Sequence, residues 1–169
     1  MQRLDPAKAQ LLTQLISPHY PFQRIMLITD GRTDLHETLH DFTRRKGFEF
    51  DLRTVGCDIA PEDPHPECRI EAMNLQSPRY NRHAKQYENI FLALDPALWE
   101  EEAAAVLSRC HAVIKNAGIL TILIERGEPL LRRLDGLLEG CDYVAIGHVE
   151  IFEDFDVVTA KKLHGWGSR

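Results

Sequence analysis

A chain of 169 residues is long enough for one domain with a single sizeable core and too short for two well-buried ones. With 44% apolar and 27% charged residues it has the make-up of an ordinary globular protein, and a net charge of -6 offers no overall field for DNA, RNA or an anionic membrane as dominant partner. The amino terminus lacks a secretion pattern, no apolar run is long enough to span a bilayer, and four dispersed cysteines (Cys57, Cys68, Cys110, Cys141) do not make a disulfide scaffold, so a cytoplasmic protein is expected.

Residues 6–16 read as a short amphipathic helix with Leu11, Leu12, Leu15 and Ile16 as its stripe, within an N-terminal extension over residues 1–18. Residues 22–29 follow with the unbroken run Ile25-Met26-Leu27-Ile28, which suits a strand buried on both faces. Asp34 should cap a helix running to Arg45, with Leu35, Leu39 and Phe42 inward and Gly47 as its stop, and residues 48–55 then alternate as a parallel second strand.

Residues 56–67 are acidic and carry Pro61, Pro64 and Pro66, which predicts an irregular surface loop. Residues 68–75 are a weak third strand, and residues 77–86 a solvated loop or short helix with Arg79, Tyr80, Arg82, His83 and Lys85. Residues 89–94 form another buried strand. Asp95 and Pro96 should start a helix reaching Lys115, with Gly118 as the stop before a fifth strand at 119–124 and a Leu-rich helix at 129–138. Cys110 and Cys141 read as core residues. Residues 143–152 and 156–161 are both strand-like and too close together for a crossover helix, so they must form an antiparallel hairpin.

This order of elements resembles the class I S-adenosylmethionine-dependent methyltransferases, whose sheet also ends in a strand hairpin, and the resemblance covers residues 22–161. Ile114-Lys115-Asn116-Ala117-Gly118-Ile119-Leu120 looks like the family's helix end, glycine turn and following strand, and residues 87–95 look like the strand leading to its substrate-side loop. The resemblance implies a single α/β domain over residues 1–169: a Rossmann-like three-layer sandwich, mostly parallel, with an antiparallel C-terminal strand. It also implies S-adenosylmethionine as cofactor.

The family's first strand leads into an acid and several glycines, whereas Thr29-Asp30-Gly31-Arg32-Thr33-Asp34 keeps Gly31 alone, which predicts a narrowed or reshaped crevice. Asp51, twenty residues beyond Gly31, matches the acid that binds the ribose hydroxyls in that family. Independently, parallel sheets hold ligands at the carboxyl ends of their strands, which selects Asp30, Gly31, Asp51, Glu71 and Asp95 as cofactor-binding candidates. Asp95 is better explained as a helix cap, since Pro96 and the helix behind it account for the aspartate by themselves. No residue identifies a catalytic base or a methyl acceptor.

His36-Glu37-Thr38-Leu39-His40 matches the zinc-protease pattern, but the helix already has an inward face, so both histidines are expected on its exposed flank, and no third ligand is evident. Cys57, His65 and Cys68 lack the compact spacing of structural zinc sites, so no metal is expected. Phosphate-binding loop, hydrolase elbow and dinucleotide fingerprint are missing. The tail from Lys161 to Trp166 ends in a tryptophan that should bury against the sheet or a second copy of the chain, giving a homodimer. Two functions follow: a methyltransferase with a small-molecule cofactor around Gly31 and Asp51, or a non-catalytic binding or scaffold protein on the same fold.

Overall fold

The computed structural model describes residues 1–163, so Trp166 and the end of the tail lie outside the described residues. Helix α1, Pro6–Thr13, is capped by Asp5, whose carboxylate accepts from the amides of Ala7 and Lys8 at 2.9 and 3.2 Å. It is shorter than expected because Gln14, Leu15 and Ile16 tighten into bonds three residues back. Leu12 and Ile16 still face inward, while Leu11 is exposed.

Strand β1, Arg24–Thr29, helix α2, Leu35–Lys46, and strand β2, Glu49–Thr54, form a parallel unit, and α2 ends at Gly47 with φ 71°. The helix buries a wider face than its leucines alone imply. His36 and His40 are 2% and 5% exposed, which corrects their expected surface position. Asp34 does not cap α2 with its side chain; its carboxylate instead accepts from the amide of Leu4 at 2.8 Å, tying the N-terminal segment to the turn after β1.

Strand β3, Cys68–Ala72, and strand β4, Tyr87–Ala93, are reached through irregular segments at 55–67 and 73–86. The helix expected from Pro96 begins only at Ala103: two 3-10 turns, Pro96–Leu98 and Glu100–Glu102, precede α3, Ala103–Val113. Between them the buried Trp99 adopts φ -142°, outside the helical range.

Gly118, expected as a helix stop, lies inside strand β5, Ile114–Glu125. Pairing with β4 jumps from Tyr87 opposite Ile114 to Asn89 opposite Ile119, so the glycine turn is absorbed as a bulge. Helix α4, Leu131–Gly140, leads to β6, Tyr143–Val149, and β7, Phe155–Lys162.

Among the described residues seven strands lie in the order β3-β2-β1-β4-β5-β7-β6, with β7 antiparallel to both neighbours, as the hairpin requires. Alternate residues of β1 supply two core layers. Met26 and Ile28 pack with Val106, Leu107 and Leu134 of α3 and α4, and Ile25 and Leu27 pack with Leu12, Leu35 and Leu39 of α1 and α2. β4 is buried throughout, as a central strand between two helical layers must be. Among the described residues, no helix is long and apolar enough to cross a membrane.

Candidate functional site

The strand order reverses between β1 and β4, and ligands of open parallel sheets sit at the carboxyl ends of the strands at such a point. Asp30 follows β1 there and Asp95 follows β4, and the two are joined: the amide of Asp95 donates to the Asp30 carboxylate at 3.1 Å. Arg32 crosses the same opening. Its guanidinium bonds Asp30 at 3.1 Å and Asp95 at 2.6 Å, and also pairs with Glu125 at the end of β5. One arginine therefore bridges the ends of β1, β4 and β5.

The turn itself is satisfied from within. Gly31 donates its amide to Thr29 Oγ1 at 3.1 Å, Arg32 to Asp30 Oδ1 at 3.2 Å and Asp34 to the Gln2 carbonyl at 3.2 Å. Glycine-rich turns hold anionic and polar ligands by presenting free amides and bare backbone. Here Gly31, at φ 82°, is covered: a side-chain carbon placed on it would stand 3.2 Å from Ile59 Cγ2 and 3.3 Å from Cys57 Sγ. These residues belong to the segment after β2. On these observations the turn does not fit an adenosyl cofactor in the arrangement seen.

Asp51 and Glu71 are not part of that opening: Glu71 is next to the carboxyl end of the edge strand β3, and the expected position of Asp51 needs correction. Asp51 is the third of the six residues of β2 and pairs with Met26 and Arg69 in mid-sheet, because β2 runs on to Thr54 before it ends. Its side chain shares the α3 and α4 side of the sheet with Arg53 at 3.5 Å and accepts a hydrogen bond from the Tyr87 hydroxyl. Asn81 Nδ2 donates to the same hydroxyl at 3.0 Å. Glu71 lies opposite Arg53 in the register, 3.6 Å from its guanidinium. The candidates thus divide into Asp30, Gly31 and Asp95 at the switch point, and Asp51 and Glu71 on the sheet face over β2 and β3.

That face opens into a cavity of about 740 Å³ walled by residues 79–83 and floored by β2 and β3. Tyr80, expected in a solvated loop, is 2% exposed and donates its hydroxyl to the Leu75 carbonyl at 2.8 Å, and burial raises its pKa to about 12. Tyr87 is raised further, first by burial and then by Asp51, so both phenols stay neutral hydrogen-bonding groups.

Arg53, Glu125 and Tyr87 are not among the site candidates the sequence offers, whereas Arg32 belongs to the side-chain-bearing turn expected to narrow the crevice. Arg53 was detectable, since a strand reading Asp51-Leu52-Arg53 puts two charges on one face where a crossover helix would want apolar side chains. Glu125 had no local signal, because only the sheet brings it to Arg32.

The histidines are engaged in packing. His40 Nε2 accepts from the amide of His65 at 3.0 Å, the two rings stack at 4.8 Å, and His65 Nε2 lies 3.0 Å from Thr43 Oγ1. They clasp the proline-rich segment to α2. Cys57, Cys68, Cys110 and Cys141 are free thiols, and burial raises Cys68 to about 11 and Cys110 to about 12, which keeps both protonated and unreactive.

No protein-family model matches the sequence, and no curated protein matches it. Solved structures do match. The C-methyltransferase domain of the citrinin polyketide synthase aligns over 92% of this chain and 51% of its own at 12% identity and a TM-score of 0.69, so this chain spans about half its length. A TehB-like SAM-dependent methyltransferase from Corynebacterium glutamicum aligns over 92% of this chain and 86% of its own, at 15% identity and TM-score 0.65. Phosphoethanolamine N-methyltransferase 2 of Haemonchus contortus, solved with S-adenosyl-L-methionine, aligns over 94% of this chain and 53% of its own, at 8% identity and TM-score 0.72. At these identities the likeness is one of fold, and the fold of this chain is that of the class I S-adenosylmethionine-dependent methyltransferases.

Proposed function

We propose that this chain is a non-catalytic binding protein on a methyltransferase fold, its carboxyl-end crevice closed by its own residues. The observation that carries this reading is the inward satisfaction of the turn after β1: Gly31, Arg32 and Asp34 spend their amides on Thr29, Asp30 and Gln2, while Cys57 and Ile59 cover Gly31. A cofactor would have to displace the Arg32 bridge and the segment after β2 together.

One observation favours a second reading, in which S-adenosylmethionine binds after the bridge opens. The Asp95 and Glu125 side chains are 41% and 39% exposed, and ion pairs this wet are worth about 0–1 kcal/mol each. The bridge alone is then a weak barrier. Calorimetric titration with S-adenosylmethionine and S-adenosylhomocysteine separates the two. The first reading expects no saturable binding by the folded wild type or by Arg32→Ala. Binding gained in Arg32→Ala would establish the second reading, and micromolar binding by the wild type, weakened by Asp30→Ala, would overturn the first.

The four free thiols support a reducing, cytoplasmic setting. Self-association through the C-terminal tail belongs to the same proposal, and light scattering of the full chain beside Trp166→Ala tests it: equal masses at the monomer value would remove it.

A further inference from the structure

The cavity on the sheet face is a second place where this chain can hold a ligand, and it lies away from the carboxyl ends of the strands. It arises from two departures that reinforce each other. The connection from β3 to β4 contains no helix, so nothing helical covers β2 and β3 on the α3 and α4 side. The residues of β2 and β3 that face that side are Glu49, Asp51, Arg53, Arg69 and Glu71. A sheet face prepared for a helix would be apolar. Charged residues in this register, under a loop that arches over them, leave a polar cavity in place of a third piece of core.

The floor is preorganised. Asp51 and Arg53 have side chains only 17% and 15% exposed, and they are held by each other, by the Tyr87 hydroxyl and by the Tyr80 carbonyl, which accepts from Arg53 Nη1 at 3.2 Å. Arg24 is matched by Glu49 at 2.7 Å. The rim is different. Arg69, Arg79 and Arg82 line the cavity, are exposed, and make no ion pair among the described residues.

The lining therefore sets five arginines against three carboxylates in a chain whose net charge is -6. Guanidinium groups in surplus, converging on a cavity, match the geometry of phosphate oxygens, which they bond in pairs. Volumes of roughly 300–1,000 Å³ are those of small-molecule sites, and about 740 Å³ falls inside that range. The carboxylates of Glu49 and Glu71 at the edge can accept from hydroxyl or amine groups on the same molecule.

We propose that the Arg-lined cavity over β2 and β3 binds a phosphorylated small molecule, with Arg69, Arg79 and Arg82 on its phosphate groups and the Asp51–Arg53–Tyr87 floor fixing its position. A nucleic-acid backbone offers the same phosphate chemistry, but the overall negative charge of the chain favours the small molecule.

Calorimetry on the full chain tests this with inorganic pyrophosphate, adenosine 5′-diphosphate, unphosphorylated adenosine, and a single-stranded oligonucleotide without terminal phosphates. Pyrophosphate and the diphosphate should bind saturably with 1:1 stoichiometry and adenosine should not. Arg69→Ala with Arg82→Ala should weaken the diphosphate by about tenfold or more, one lost charge-assisted contact being worth roughly that factor. Arg133→Glu, at an exposed position on α4, changes net charge as a control and should leave affinity unaltered. All these positions are exposed, and thermal melts verify that the variants fold. The proposal is overturned by absence of saturable binding in folded protein, by an equal loss in Arg133→Glu, or by tighter binding of the oligonucleotide than of the diphosphate. None of these outcomes depends on Arg32 or on the S-adenosylmethionine titration.

Discussion

Gly118 has room for a hydrogen atom and nothing larger. A side-chain carbon there would stand 2.5 Å from Ile114 Cγ2, 2.8 Å from the Lys115 carbonyl and 3.1 Å from the Glu88 carbonyl, two of them backbone atoms that cannot step aside. Gly118→Ala should lower stability by about 1–3 kcal/mol, the usual range for overpacking, read as a lower urea midpoint with unchanged slope. Arg32 predicts the opposite kind of result. It engages three carboxylates, yet two of those partners are well exposed, so Arg32→Ala should cost no more than about 1 kcal/mol in the same measurement. Tyr87→Phe removes a buried hydroxyl shared by Asp51 and Asn81, leaving both short of a partner, and should cost about 1–3 kcal/mol.

The segment between β2 and β3 behaves as a strap, buckled to α2 by His40, Thr43 and His65. The buckle depends on neutral imidazoles, since His40 Nε2 is an acceptor and two charged rings cannot comfortably stack. Burial lowers the pKa of both histidines below the ordinary 6.5; His65 and Arg44 lower His40 further, against Asp41 and Asp63, while Glu67 partly offsets the effect at His65. A folded-state value below the unfolded one means that the unfolded chain binds more protons in the window between them. Stability should therefore fall as pH drops below about 6.5 and level off under the folded-state values. Urea midpoints at pH 7.5 and 5.5 should differ less in His65→Gln than in the wild type, because that variant has lost one of the two groups. An equal difference would remove the strap from the account. Release of this strap would also uncover Gly31, which Cys57 and Ile59 now pack against.

Across the whole molecule, protection should follow the strand order. β4 and β5 lie inside the sheet between helical layers, whereas β3 is an edge strand whose residues are largely exposed. Amide exchange in β3 should be much faster than in β4, whose amides should exchange only through global unfolding. The same contrast governs how far the sequence could be read. Ile25 to Ile28 and the run Ile90-Phe91-Leu92-Ala93 announce central strands because burial on both faces admits only apolar side chains, and two strands too close for a helix must form a hairpin; those constraints are local, and they carried the architecture. Gly118 misled because a glycine after a helical run serves a helix stop and a strand bulge equally well, and Asp51 misled because strand length decides which residue reaches the carboxyl end. The burial of His40 has no local signal because its partner, His65, lies across a loop. From its own order of residues the chain determines a parallel sheet closed by an antiparallel hairpin. Only the tertiary structure decides that Arg32 meets Asp95 and Glu125 across the switch point, and that Asp51 faces an arginine-lined cavity instead of the crevice, because both depend on the register between strands distant in sequence.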